Sequence, residues 1–448
     1  MGQRKYFGTD GIRGTANKGV MTAEIALKLG MAAGTMFTRG DHRHRVIIGK
    51  DTRLSGYLFE NAITSGFLST GMDVFLVGPM PTPAIAMLVK SMRVDLGVMI
   101  SASHNPYYDN GLKLFGPDGY KLSDGVEKEI ESIMSDQSKI KLADPVDVGR
   151  ATRIDDAPGR YIEFTKNIFP KGRNLKDFKI VIDCANGAAY HLGGKILWEL
   201  GAEVIEIGVK PDGRNINLDC GSNHLELLSK TVIENKAHLG IALDGDADRI
   251  QMVDEHGKAI DGDMILALIA CYLKKQGQLN YNKMVATSMS NLAFEHYMNS
   301  QGIEVIRTQV GDRYVAEKMR ENNLSLGGEQ SGHVILGEYS TTGDGLVAAL
   351  QMLALIQEKN KPVSELTKIY TPLPQIIRNV KVDNLSILDS DAVQNLIEER
   401  NKTLKNIGRL LVRKSGTEKL IRVMGEGDNI DLIKEIIDEI EQKLLLKS

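Results

Sequence analysis

One pattern recurs three times along the chain and restricts what it can fold into: a short apolar run ends in a polar loop and leads to a helix-like stretch. The first runs are Val46-Ile47-Ile48-Gly49-Lys50-Asp51, Ile180-Val181-Ile182-Asp183-Cys184-Ala185-Asn186-Gly187 and Met284-Val285-Ala286-Thr287-Ser288-Met289-Ser290-Asn291. Each reads as a buried strand that ends in a loop. A second run follows each of them. Val98 to Ile100 enters Ser101-Ala102-Ser103-His104-Asn105-Pro106, Ile241 to Leu243 enters Asp244-Gly245-Asp246-Ala247-Asp248-Arg249, and Leu324 to Leu326 enters Gly327-Gly328-Glu329-Gln330-Ser331-Gly332-His333. The irregular spacing excludes a solenoid and predicts three copies of one α/β plan. Each copy presents a loop at strand ends, where open α/β sheets bind ligands.

Thr371-Pro372-Leu373-Pro374 then reads as a linker, because two prolines disfavour helix and cannot sit in a central strand. Beyond it the pattern predicts a smaller unit: strand Ile376 to Val382, helix Ser390 to Leu404, strands Arg409 to Arg413 and Leu420 to Met424, and a last helix. In that helix Ile430, Ile433, Ile437, Ile440 and Leu444 form a core stripe behind the capping candidates Asp428 and Asn429. A length of 448 residues suits about three domains of ordinary size, or four if one is small.

Composition removes several function classes. With 55 Lys and Arg against 58 Asp and Glu, the chain lacks the basic footprint of a nucleic-acid binder. At 42% hydrophobic residues it is not a disordered chain. Cys184, Cys220 and Cys271 are odd in number and far apart, which points to a reducing compartment and no thiolate metal cluster. No apolar export segment follows Met1, and Tyr6 stands where a myristoylation signal needs Ser or Thr. The apolar run Ile265 to Tyr272 is too short to span a bilayer and reads as a buried helix. The expectation is a soluble cytoplasmic protein with no nucleic-acid or membrane partner.

The polar loops carry the chemistry. Asn105 is held extended by Pro106, so Ser103 sits on a fixed bend; the motif alone fits either a presented nucleophile or a turn whose Ser and Asn bond their own backbone. A Ser-His-Asp hydrolase is disfavoured, since adjacent Ser103 and His104 do not easily reach base geometry and no Gly-x-Ser-x-Gly elbow exists. Asp244, Asp246 and Asp248 would repel one another unless a cation neutralised them, and an oxygen-only cluster suits Mg²⁺. An EF-hand is rejected because Arg249 occupies the place of its glycine and the preceding segment reads as strand. A phosphatase with an aspartyl nucleophile stays open by spacing alone. Glu329, Gln330, Ser331 and His333 suit a polyhydroxylated ligand. Arg413-Lys414-Ser415-Gly416-Thr417-Glu418 places a cation, two hydroxyls and free backbone around one anion, without the spacing of a P-loop. Phe7 to Gly14 adds a second flexible backbone with Arg13.

Taken in order, these loops, together with Asp109-Asn110-Gly111-Leu112-Lys113, Gly311-Asp312-Arg313-Tyr314 and Thr341-Thr342-Gly343-Asp344-Gly345, resemble those of the α-D-phosphohexomutases over nearly the whole chain. The resemblance implies an α/β fold of four domains around a central cleft: three similar mixed-sheet domains, 1–156, 157–256 and 257–370, and a smaller α+β domain, 371–448. It implies a phosphoserine at Ser103, with Mg²⁺ held by Asp244, Asp246, Asp248 and a phosphoserine oxygen. Arg249 would lie beside them, and Arg13, His104, Lys113 and His333 would line the reacting end. Glu329 and Ser331 would hold sugar hydroxyls; Arg413, Ser415, Gly416 and Thr417 would hold the substrate phosphate. Lys113 and His333 are the proton-transfer candidates, on the expectation that nearby cations tune them. Lys419 replaces the family's usual proline, which removes a rigid φ angle beside the phosphate loop. The Glu-Gln-Ser-Gly-His wording resembles the amino-sugar branch, which implies conversion of glucosamine 6-phosphate to glucosamine 1-phosphate through a bound sugar bisphosphate, a step that feeds cell-wall precursors. Glucose and mannose phosphates are the alternative substrates, a metal-dependent sugar phosphatase the alternative reaction. Neither composition nor pattern sets the oligomeric state, a homodimer included.

Overall fold

The computed structural model describes residues 5–8, 10–405, 407–414 and 420–445, so Ser415, Gly416, Thr417 and Lys419 lie outside the described residues. In the first unit β1 (Ile12–Thr15), β2 (Arg45–Lys50), β3 (Asp73–Pro79), β4 (Leu96–Ile100), β5 (Asp109–Phe115) and β6 (Ala151–Arg153) form one sheet ordered β1-β5-β4-β2-β3-β6. Its helices are α1 (Ala23–Phe37), α2 (Ser55–Ser69), α3 (Thr82–Ser91) and α4 (Asp124–Ser135). The second unit has α5 (Ala157–Lys166), α6 (Gly193–Glu199), α7 (Glu226–Glu234) and a sheet ordered β11-β10-β9-β7-β8, from β7 (Lys179–Asp183), β8 (Glu203–Ile207), β9 (Leu239–Leu243), β10 (Ile250–Asp254) and β11 (Ala259–Ile260). In the third, β12 (Lys283–Thr287), β13 (Glu304–Thr308), β14 (Leu326–Gly328) and β15 (Val334–Leu336) take the order β13-β12-β14-β15. Around them lie α8 (Gly262–Lys275), α9 (Leu292–Ser300), α10 (Asp312–Asn322), α11 (Gly345–Lys359) and α12 (Val363–Leu366). The last unit is an antiparallel sheet of β16 (Gln375–Lys381), β17 (Gly408–Lys414) and β18 (Leu420–Gly427) with α13 (Asp391–Thr403) and α14 (Ile430–Leu445).

The three larger sheets share a four-strand core. β2, β7 and β12 each pair in parallel with the next strand on one side and with β4, β9 or β14 on the other. The chain then turns back antiparallel into β5, β10 or β15. The turn between those last two strands is, in every copy, one of the polar loops singled out above. Strands β4 and β9 are buried along their full length, as a sheet covered on both faces requires.

Two expectations need correction. The strand placed at Leu324 starts at Leu326, because the Leu324 amide still closes the end of α10 on the Met319 carbonyl (2.9 Å) and Ser325 Oγ bonds the Gln278 carbonyl. Ile430 is 40% exposed and outside the core stripe. Side chains tilt toward a helix's N-terminus, so that of the first residue overhangs the end. Ile433, Ile436, Ile437, Ile440 and Leu444 form the buried face instead, behind Asn429, whose Oδ1 accepts from the Leu432 amide. The Ile265 to Tyr272 run is the buried centre of α8, and no helix among the described residues is long and apolar enough to cross a membrane.

One apolar core runs through the first three units, joining Ile85 and Met99 to Tyr161, Ile182, Leu266 and Leu350, whereas the last unit has its own. At the centre of the large core Asp344 caps α11 by accepting from the Leu346 and Val347 amides, and Tyr161 on α5 donates to the same carboxylate at 2.9 Å. Burial pushes the Asp344 carboxyl up to about 6 from 3.8. The folded chain therefore binds this proton more tightly than the unfolded one. The group makes stability fall as pH rises from about 4 to about 6, with no further loss above. Asp344→Asn should flatten that part of the wild-type curve in thermal unfolding, and Tyr161→Phe should destabilise by about 1 to 3 kcal/mol.

Candidate active site

The Ser103 loop is clamped from beneath. Ser103 has a left-handed backbone (φ 52°) and is 2% exposed; its amide donates to Ser101 Oγ, which donates to Asp51 Oδ2 at 2.6 Å. Arg53, fully buried against Asp51 (Nε to Oδ2 2.8 Å), points its guanidinium into the loop and donates to the carbonyls of Ser103, Asn105 and Pro106. Asn217 from the second unit bonds two of the same carbonyls. A non-glycine residue held left-handed costs on the order of 1 kcal/mol, and this network holds it there. The left-handed turn also brings His104 Nδ1 to 3.3 Å from Ser103 Oγ. Adjacent residues thus do come within reach, contrary to the sequence expectation. The ring is nonetheless a weak base: burial, with Arg249 and Arg13 nearby, lowers its pKa to about 3.

The acidic loop meets the serine from the second unit. Ser103 Oγ donates to Asp244 Oδ2 at 2.6 Å, and a Cβ on Gly245 would lie 2.6 Å from the Ser103 carbonyl, so only glycine allows this approach. Asp244, Asp246 and Asp248 are all buried, with one oxygen of each within 4.8 Å of the others. Burial and then the charges of Asp248 and Asp246 raise the Asp244 pKa well above the carboxylate range. Asp246 Oδ1 and Asp248 Oδ1 are buried with no hydrogen-bond partner. Crowded, partly unsatisfied oxygen donors fit a hard divalent cation.

The cations around this triad belong to several units. Lys113 on β5 lies 2.9 Å from Asp246, 3.3 Å from Asp10 and 3.6 Å from Asp248. Burial works against its charge, but these carboxylates outweigh burial and raise its pKa. The expectation that Lys113 stands among cations is therefore corrected: it is caged by acids. His333 Nδ1 faces Asp248 Oδ2 at 3.6 Å, while its Nε2 accepts from the Gly343 amide. In the neutral ring that acceptance puts the proton on Nδ1. Burial opposes its positive form, and Asp248, Asp312 and Glu329 overcome this to raise its pKa. Arg249 and Arg13 each keep a buried Nε without a hydrogen-bond partner, although Arg13 also bonds Asp10 at 2.6 Å.

Glu329 accepts from the Gly311 amide and is raised in pKa by burial; Ser331 is exposed beside it. Arg413 on β17 stands opposite Arg422 of β18. Burial and the Arg422 charge lower its pKa, against the charge of Glu329. Several contributors escaped sequence reading: Asp10, Lys121 and Asp312, in which Lys121 bridges the two acids; Thr82, whose Oγ1 donates to Asp246 at 2.6 Å; and Asp51, Arg53, Asn217 and Arg422. Asp10, Asp51 and Asp312 lie in the polar segments read above and Arg422 in the strand Leu420 to Met424, but nothing local marks them as distinct from ordinary loop acids or a strand cation.

Profiles of the phosphoglucomutase/phosphomannomutase family match four stretches in order: α/β/α domain I over residues 4–141, domain II over 159–257, domain III over 261–373 and the C-terminal domain over 378–443. The chain belongs to this family. A curated relative named phosphoglucosamine mutase, from Parvibaculum lavamentivorans, is 58% identical, with 98% of each chain covered. A solved phosphoglucomutase/phosphomannomutase family protein from Burkholderia thailandensis shares the fold at TM-score 0.83 and 23% identity, over 99% of this chain and 98% of that one. The fold is also shared by Aspergillus fumigatus N-acetylphosphoglucosamine mutase, solved with GlcNAc-6P and magnesium, at TM-score 0.63 and 19% identity, over 98% and 95% of the two chains.

Because Arg53 touches only the backbone of the serine loop, Arg53→Lys retains the charge against Asp51 and loses the fork. Turnover should fall about 100-fold with KM changed little, as a misplacement near 1 Å would produce, in a steady-state assay.

Proposed function

We propose that this chain is a phosphoglucosamine mutase, interconverting glucosamine 6-phosphate and glucosamine 1-phosphate through phosphorylated Ser103 and a bound sugar 1,6-bisphosphate. The observation that carries the reading is the meeting of Ser103 Oγ with Asp244 at 2.6 Å, inside a buried acid triad whose outer oxygens lack partners. The name of the relative at 58% identity supports the amino-sugar substrate. On this reading the four units, 1–156, 157–256, 257–370 and 371–448, each lend a loop, and the protein works in the cytoplasm, where its three free thiols stay reduced.

Asp244, Asp246, Asp248 and a phosphoserine oxygen would hold Mg²⁺, which would supply neutralisation of charge on the transferring phosphoryl group. The remaining work falls to the chain. The sugar hydroxyl attacks phosphorus as the bond to Ser103 Oγ breaks; the hydroxyl proton leaves and Oγ regains one, so the half-reaction conserves protons. Lys113 Nζ and His333 Nδ1 are the groups proposed to carry these protons. His104, neutral, contributes a hydrogen bond near Oγ, and Arg13 and Arg249 offer unpartnered N–H groups to the phosphoryl oxygens. Glu329 and Ser331 hold hydroxyls in either pose. Arg413, with Ser415, Gly416 and Thr417, holds the phosphate that is not reacting. The bisphosphate then turns over, and Ser103 takes back the other phosphoryl group.

Ser103→Ala should abolish isomerisation and the phosphorylated form seen by intact-mass spectrometry; full-rate isomerisation in this variant would end the proposal. Assays with glucosamine, glucose and mannose phosphates should give the highest kcat/KM for glucosamine, without release of inorganic phosphate. Lys113→Met and His333→Gln should each lower kcat by about 100-fold, and losses of only a few-fold would remove them as proton carriers.

A further inference from the structure

A second cluster of metal-ligating side chains lies at the opposite end of the first sheet. His42 and His44 precede β2, two residues apart, and their ring centroids lie 4.1 Å apart. Asp95 precedes β4, the neighbour of β2. Its Oδ1 is 2.8 Å from His42 Nε2 and 3.5 Å from His44 Nδ1, while its Oδ2 accepts from the Arg45 amide at 2.8 Å. One donor atom of each residue lies within 4.8 Å of the others.

His44 is the independent pointer to a ligand. It is only 4% exposed, yet neither ring nitrogen has a hydrogen-bond partner. The Asp95 carboxylate at 3.5 Å returns only part of the free energy that burying this polar ring costs. The Arg45 amide fixes the carboxylate with its free oxygen toward the rings, as an outer-shell donor does at metal sites. Tetrahedral zinc places its ligand atoms about 3.3 Å apart, close to the separations from Asp95. The nearby Arg43 does not oppose a cation strongly, since its guanidinium is engaged by Asp73 at 2.7 and 3.0 Å.

We propose that His42, His44 and Asp95 form a binding site for a first-row divalent transition ion of the zinc class, with water completing the coordination. Two imidazoles and one carboxylate suit such an ion and not Mg²⁺, which prefers oxygen alone. Five or six residues of strand separate the cluster from Asp51 and Ser101, roughly 17 to 20 Å. The ion therefore takes no part at the serine loop; it ties the approach to β2 onto the start of β4.

Tag-free protein in excess Mg²⁺ would be titrated with Zn²⁺ against a chromogenic chelator, and zinc-soaked crystals read by anomalous scattering. Wild type should hold one zinc per chain at this cluster. His42→Ala, at an exposed ring, and Asp95→Asn, which keeps an acceptor for the Arg45 amide, should each weaken it at least about tenfold. Without zinc both variants should match wild type in unfolding temperature and Mg²⁺-supported turnover, and zinc should raise the unfolding temperature of wild type alone. Absence of zinc from the wild type, equal uptake by all three proteins, or an anomalous peak only at the Asp244 triad would overturn the proposal.

Discussion

The site rests on the mutual repulsion of Asp244, Asp246 and Asp248, which are buried together under one serine hydroxyl. Carboxylates this close would not stay ionised in an apolar interior without compensation, and the protein supplies part of it from Lys113, Arg249 and His333. Two oxygens, Asp246 Oδ1 and Asp248 Oδ1, remain without a hydrogen-bond partner, and a cation would complete the balance. The serine is meanwhile held by its main chain, since Arg53 and Asn217 bond carbonyls and leave Oγ free to meet Asp244. Charge and position are thus fixed by different residues.

How much of this was legible depended on whether the signal was local. The threefold strand-loop plan was visible because apolar runs and polar loops are contiguous in sequence, and the loops at 101–106, 244–249 and 327–333 are the returns between antiparallel neighbours. Helix α14 was readable from its isoleucine spacing, but the register at its first turn was not, because exposure there depends on what lies beyond the helix end. The residues that escaped, such as Thr82, Asn217 and Lys121, act on partners from 111 to 191 positions away. No spacing rule reaches that far.

The environment of Lys113 shows the same limit in electrostatic terms. A lysine in a β-strand carries no mark of its neighbours, and the family likeness implied a reacting-end residue without saying what surrounds it. The sheet register decides: β5 runs beside β1, which brings Asp10 close, and the second unit delivers Asp246 and Asp248 from the other side. Folding therefore turns an unremarkable cation into the counter-charge of three acids.

Lys121 joins Asp10 of the first unit to Asp312 of the third, while Arg313 beside it grips Glu127. The centre is consequently a property of the seams between units and of no unit alone. Damage at such a seam would silence the protein while every sheet stayed intact, so loss of chemistry would be the earliest symptom of loosened assembly, well ahead of unfolding.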